Sequence, residues 1–170
     1  MAGRRGVRRR HQPTGPGAPM SMDKEAIGAV PEGASASVRL QLDFTSELGS
    51  IHYAIVAVRA WCDLTEIASG VAWKIELAMA EVLSNIAVHG YRQQSDQPIT
   101  VIWHKERDRL RIEIRDRGEP MALPPGADFP DSAEERGRGW PIIRACLDRI
   151  GYRVEDGINV LTLERDLPAA

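Results

Sequence analysis

The most restrictive feature of the chain is a hydrophobic period that switches repeatedly between two and about 3.6 residues from Val38 onward. Val38, Leu40, Leu42 and Phe44 alternate with Arg39, Gln41 and Asp43, the repeat of a half-buried strand. Leu48, Ile51, Ile55, Val58 and Cys62 then recur at helical spacing. So do Ile75, Met79, Val82 and Ile86, with Gly90 as the stop. These patterns predict helices over 48–64 and 72–89. The period returns to two over 99–105 and 109–116, two strands joined by the polar turn Glu106-Arg107-Asp108. A Pro/Gly-rich loop follows over 118–138. A third helix is predicted over 140–150, then a hairpin of 152–155 and 159–165 around Asp156-Gly157. Strand, two helices, two strands, loop, helix, two strands is the order of an α+β two-layer sandwich, with a mixed, mostly antiparallel sheet and helices on one face.

Residues 1–37 lack this patterning. Arg, Gly, Pro, Ala and Ser dominate there, and such a stretch buries too little apolar surface to offset the entropy of ordering. A disordered basic tail is therefore expected over 1–37, and one domain over 38–168. The formal net charge of −2 hides this division. The tail carries six basic and three acidic groups, a charge of +3, and the remainder carries 16 basic and 21 acidic groups, a charge of −5. An acidic domain argues against direct nucleic-acid binding as its main role. No apolar run approaches the roughly 20 residues that span a bilayer, and Pro and Gly rather than an apolar stretch follow the basic opening, so neither a membrane partner nor a secretory signal is expected. Two cysteines, Cys62 and Cys146, make no disulfide framework and suit a reducing cytoplasm. Both fall at apolar helical positions and read as packing residues, as do Trp61, Trp73 and Trp103.

Three constellations can carry chemistry. On the second helix Glu81, Asn85 and His89 stand four residues apart and stack along one ridge. A carboxylate there can take a proton, and an amide oxygen one turn later is a hard ligand for Mg²⁺; taken alone, the ridge is equally a solvated face. His89 reads as part of the helix end, because no second His or Cys stands at ligand spacing. In Leu110-Arg-Ile-Glu-Ile-Arg-Asp116-Arg-Gly118, Asp116 continues the parity of Leu110, Ile112 and Ile114. A carboxylate is thus aimed to the apolar side, where it needs a donor. It either caps the following turn or awaits a ligand donor such as an exocyclic amine. In Arg136-Gly137-Arg138-Gly139-Trp140-Pro141, a Gly-x-Gly opens an amphipathic helix, so main-chain N–H groups can approach a phosphate. The flanking arginines can add charge-assisted bonds, and Trp140 stands where it can line the pocket. The pattern is neither the Rossmann fingerprint nor the P-loop.

In this order the three segments resemble the ATP-binding domain shared by gyrase, histidine kinases and MutL, the Bergerat-type fold. Within that superfamily the chain most resembles the small free-standing anti-sigma-factor serine/threonine kinases of bacteria. Ala80-Glu81-Val82-Leu83-Ser84-Asn85-Ile86-Ala87-Val88-His89-Gly90-Tyr91 is similar to the N-box, Asp116-Arg117-Gly118 to the first glycine box, and Arg136-Gly137-Arg138-Gly139 to the second. The resemblance implies that Asn85 holds the Mg²⁺ bridging the ATP phosphates and that Asp116 accepts the adenine amino group. It implies that Gly118 lets the backbone approach the base, and that Gly137 and Gly139 cradle the phosphates with Arg136 and Arg138 beside them. Glu81 is then the general base toward a protein hydroxyl.

The same resemblance implies a kinase that phosphorylates a STAS-type anti-sigma-factor antagonist, sequesters a sigma factor and forms a homodimer. The alternative is a non-catalytic ATP-binding module that binds partners without phosphorylating them; Glu81 favours catalysis, because nucleotide binding alone needs no base there. An isolated histidine-kinase catalytic domain ranks lower, since residues 1–37 hold no long helical segment with an acceptor histidine. Two departures stand out. Pro120 takes a place where the family often has glycine, in a segment that also holds Pro124, Pro125 and Pro130, which predicts a stiffer lid. The arginine of the first helix, Arg59, does not map onto the family's.

Overall fold

Alternation along each strand sorts its side chains between a face that packs and a face that meets water. The computed structural model describes residues 37–121 and 139–168. Residues 1–36 of the expected tail and most of the proline-bearing segment lie outside the described residues. The elements are β1 (Val38–Thr45), α1 (Leu48–Leu64), α2 (Ser69–Asn85), a π-helical turn (Ile86–Gly90), β2 (Pro98–Lys105), β3 (Arg109–Asp116), α3 (Gly139–Cys146), β4 (Arg149–Glu155) and β5 (Ile158–Asp166). The strands form one sheet in the order β1-β2-β3-β5-β4, and every neighbouring pair is antiparallel. The α+β two-layer expectation holds, with the sheet wholly antiparallel where a mixed one was allowed for.

Register carries the apolar parity across the strands in rows. Leu40, Trp103, Ile112, Leu163 and Ile150 form one row, and Leu42, Val101, Ile114, Leu161 and Tyr152 the next. The third begins apolar with Phe44 and Ile99 and turns polar at Asp116 and Asn159. The opposite face is charged: Arg39, His104, Arg111, Glu164 and Arg149 lie in one row across it. Against the apolar rows pack Ile51, Val58 and Trp61 of α1, Ile75, Met79 and Leu83 of α2, and Ile143 of α3. α2 lies between α1 and α3. Each large side chain fully buried in this layer contributes about 1.5–3 kcal/mol, so these rows, and not the surface ion pairs, hold the two layers together.

Four expectations are corrected. The second helix starts earlier, at Ser69, and its α form ends at Asn85. The next five residues form a wider turn, in which the Tyr91 N–H donates to Ile86 O at 2.8 Å, five residues back. The third helix stops at Cys146, and Arg149 and Ile150 belong to β4. Cross-strand pairing takes them: Ile150 faces Leu163, and Arg149 pairs with Glu164 (2.7 Å) and with Asp166. Trp61 and Trp103 pack the core with ring centroids 5.6 Å apart, but Trp73 is 58% exposed, one turn into α2 on its outer side. Cys62 and Cys146 are buried as expected, and burial pushes the Cys62 thiol up to about 11, which leaves it an unreactive packing group.

Candidate functional site

The polar end of the inner sheet face builds the first half of the site. Asp116 closes β3 and is only 6% exposed, a position where a carboxylate must find donors. Its Oδ1 accepts from the Gly118 N–H and from Asn159 Nδ2, both at 2.8 Å. Burial raises the carboxyl's pKa, and these two bonds pull against that rise. Among the described residues both of these bonds fall on Oδ1 and Oδ2 has no hydrogen-bond partner, so Oδ2 can still accept a donor. Asn159 also donates to Gly118 O at 3.0 Å, and its own Oδ1 accepts from Tyr152 Oη at 2.8 Å. Tyr91 Oη accepts from the Arg117 N–H at 2.8 Å and donates to Pro98 O at 2.6 Å. Its phenol is raised by burial and stays a donor.

The π turn brings α2 to this corner. Gly118 lies so close to it that a Cβ there would stand 2.7–2.9 Å from three backbone atoms of Gly90. The Glu119 N–H donates to Gly90 O at 2.8 Å, fastening the two segments. A glycine is needed at Gly118 because backbone, not a movable side chain, fills the space a Cβ would take. π turns of this kind recur at functional sites.

The second half lies one turn back along α2. Glu81 and Asn85 are half-buried on the side that meets α3. A Cβ on Gly139, the first residue of α3, would stand 2.9 Å from Glu81 Oε2 and 3.2 Å from Asn85 Nδ2. The start of α3, where main-chain N–H groups have no helical partner, therefore rests directly on an acid and an amide. The structure brings Glu81, Asn85 and Gly139 together, and Asp116, Gly118 and Gly90 together, with the end of α2 and its π turn linking the groups. Arg136, Gly137 and Arg138 lie outside the described residues. His89 leaves the ridge: the wider turn after Asn85 ends the four-residue stacking, and His89 is exposed. Trp140 is half-buried and packs on the core cluster.

Asn159, Tyr152, Tyr91 and the backbone role of Gly90 are absent from the sequence-level site. Asn159 carried the same signature as Asp116, a polar side chain on the apolar parity of its strand with Leu161 and Leu163. Tyr152 and Tyr91 carried none, because each hydroxyl joins one partner seven residues away to another 26 or 31 residues away, and no repeat along the chain marks such pairings.

The donor set fits a magnesium-bound triphosphate. Asn85 supplies a hard amide oxygen, Glu81 a neighbouring carboxylate, and Gly139 a close backbone approach that a side chain would block. Among the described residues no three His, Cys, Asp or Glu side chains group as a metal site. No helix of the described residues is long and apolar enough to cross a membrane.

No curated protein matches the chain. Residues 44–165 match the family described as the histidine kinase-like ATPase domain. The matched stretch runs from Phe44 on the third inner row to Arg165 in β5, and it takes in both halves of the site. An antiparallel sheet under three helices, a Glu…Asn ridge beside a helix-opening glycine and a buried acid at a strand end agree with that match, and the chain belongs to the histidine kinase-like ATPase domain family.

Proposed function

We propose that this protein is a regulatory serine/threonine kinase and anti-sigma factor: it binds ATP with Mg²⁺, phosphorylates a STAS-type anti-sigma-factor antagonist and sequesters a sigma factor. The observation that carries the reading is the seat of Gly139 on Glu81 and Asn85. It supports the reading because Glu81, the proposed base, then stands beside a helix N-terminus that would receive the terminal phosphate. Asp116 accepts the exocyclic amine of adenine on Oδ2, and Gly118 lets the backbone lie against the base. Gly137 and Gly139 present main-chain N–H groups to the phosphates, with Arg136 and Arg138 adding charge. Asn85 would hold the Mg²⁺, and the ion would supply charge neutralisation at the phosphate oxygens. Glu81 takes the proton of the substrate serine or threonine as its oxygen bonds to the γ-phosphorus and the bond to ADP breaks. Positioning and charge dominate such a transfer. The phosphorylated antagonist leaves, and the kinase, a cytoplasmic homodimer in this reading, is free to hold sigma.

The test combines ATP labelled in the γ position, Mg²⁺ and a purified STAS-domain antagonist. Acid-stable label on the antagonist is expected, together with nucleotide-dependent capture of a sigma factor. ATP binding with no label on the antagonist would leave the non-catalytic module as the better reading. Absence of both label and sigma capture would sink the regulatory model and leave only the ATPase-type domain.

A further inference from the structure

The hydrogen bonds behind Asp116 run in a single direction. A backbone N–H can only donate, so Met121 gives its proton to Tyr152 Oη, 3.0 Å away. A backbone carbonyl can only accept, so the 3.0 Å contact to Gly118 O turns the Asn159 NH₂ toward β3, whatever the charge on Asp116. The same NH₂ then meets Asp116 Oδ1 at 2.8 Å. Asn159 Oδ1 is left as acceptor for the Tyr152 hydroxyl at 2.8 Å. Met121, Tyr152, Asn159 and Asp116 thus form a donor chain that starts on an obligate donor and ends on a carboxylate. The tertiary register makes it possible: Asn159 pairs with Asp116 across β3 and β5, and Tyr152 sits one inner row away on β4.

We infer that Tyr152 and Asn159 are positioning residues for base recognition, a one-way relay that fills Asp116 Oδ1 with donors and reserves Oδ2 for the amine of a 6-aminopurine. The inference rests on the reading of Asp116 as the base acceptor. Neither residue has to touch the base, because both act through the carboxylate. Burial drives Asp116 toward its protonated form, and the Asn159 and Gly118 donors oppose it. A protonated carboxyl would offer a donor, which a 6-oxopurine can accept, so the relay also sets the preference for amino over oxo bases. Around Asp116, β2 presents apolar Ile99, the π turn presents Gly90, Tyr91 is the titratable group that interacts with it, and Arg117 follows it in sequence.

Equilibrium binding of ATP and of GTP to the full chain tests this, using Asp116→Asn, Asn159→Leu, Tyr152→Phe and the double variant Tyr152→Phe/Asn159→Leu. Asn159→Leu is expected to weaken ATP binding about tenfold and to narrow the ATP-over-GTP preference. Tyr152→Phe shows a smaller loss of the same kind. The double variant falls no further than Asn159→Leu, because the two act in series. The carboxyl ¹³C signal of Asp116 titrates at higher pH in Asn159→Leu than in the unaltered protein, a displacement that a merely structural role would not cause. Wild-type ATP affinity and an unmoved titration in both single variants, with Asp116→Asn still impaired, would overturn the relay alone. Additive losses in the double variant would also overturn it. ATP bound normally by Asp116→Asn would overturn the base reading and the relay with it. Should Asn159→Leu fail to fold, Tyr152→Phe decides through the Asp116 titration, which must move for the relay to stand.

Discussion

The two halves of the site are built on opposite principles. At the sheet end, Asp116 is nearly sealed, and donors from Asn159 and Gly118 hold one of its oxygens. At the helix end, Glu81 and Asn85 are half-buried, and among the described residues neither side chain has a hydrogen-bond or ion-pair partner. Burial explains the contrast: a sealed carboxylate without donors would cost several kcal/mol, while water can serve a half-exposed one. The glycines divide the same way. Gly118 is pressed against backbone, which cannot yield, and Gly139 against the ends of two side chains, which can. In the proposed reading, one half is a preformed socket and the other is left for a ligand to complete.

The sharpest test of that division is Glu81→Gln. It should lower phosphotransfer to the antagonist by about 10²–10⁴-fold, the range for a lost general base, with ATP affinity within about twofold of the unaltered protein. An equal fall in ATP affinity would mean the helix end is also a preformed socket. Asp116→Asn should do the reverse, weakening ATP binding about 10- to 100-fold while transfer at saturating ATP persists; titration calorimetry and single-turnover labelling separate the two. The glycines follow. Gly118→Ala should lose about 1–3 kcal/mol of stability to denaturant, since backbone must move to admit the methyl. Gly139→Ala should lose about 0.5 kcal/mol or less yet slow transfer by displacing Glu81 Oε2. Similar denaturation midpoints for the two variants would erase the distinction.

The smallest effect is a pH dependence. Burial holds the Asp116 carboxyl above its ordinary value, so the native state keeps this proton more tightly than the unfolded chain does. The stability of the ligand-free protein, measured against Asp116→Asn, should therefore decline as pH rises from the ordinary carboxyl range through the raised one, and level off above it. A difference that grows with pH would place the carboxyl's value below its ordinary range and remove the cost assigned to burial.

Much of this was legible in the chain because it is local. The alternation in Leu110, Ile112, Ile114 and Asp116 named both a strand and its inward acid, and β3 spans the predicted residues Arg109–Asp116. The helical spacing of Leu48 to Cys62 likewise placed α1 over Leu48–Leu64. Misreadings arose where a distant partner intervened. Arg149 and Ile150 fit a helix by spacing but were drawn into β4 by Glu164, Asp166 and Leu163. His89 fits the ridge by number but was turned off it where Gly90 docks on Gly118. Trp73 reads as core by composition yet lies on the outer side of α2.

The order of elements, the inward acid of β3, the Glu81–Asn85 ridge and the helix-opening glycine are readable along the chain, because each is set by a repeat of two or 3.6 residues, or by a glycine where such a repeat begins, within one segment. Folding of the whole chain was needed to put Asn159 and Tyr152 behind Asp116, to press Gly118 against Gly90 and to seat Gly139 on Glu81. These depend on register between strands and on the approach of one backbone to another. Such relations are set by the packing of the whole sandwich and leave no period along the chain.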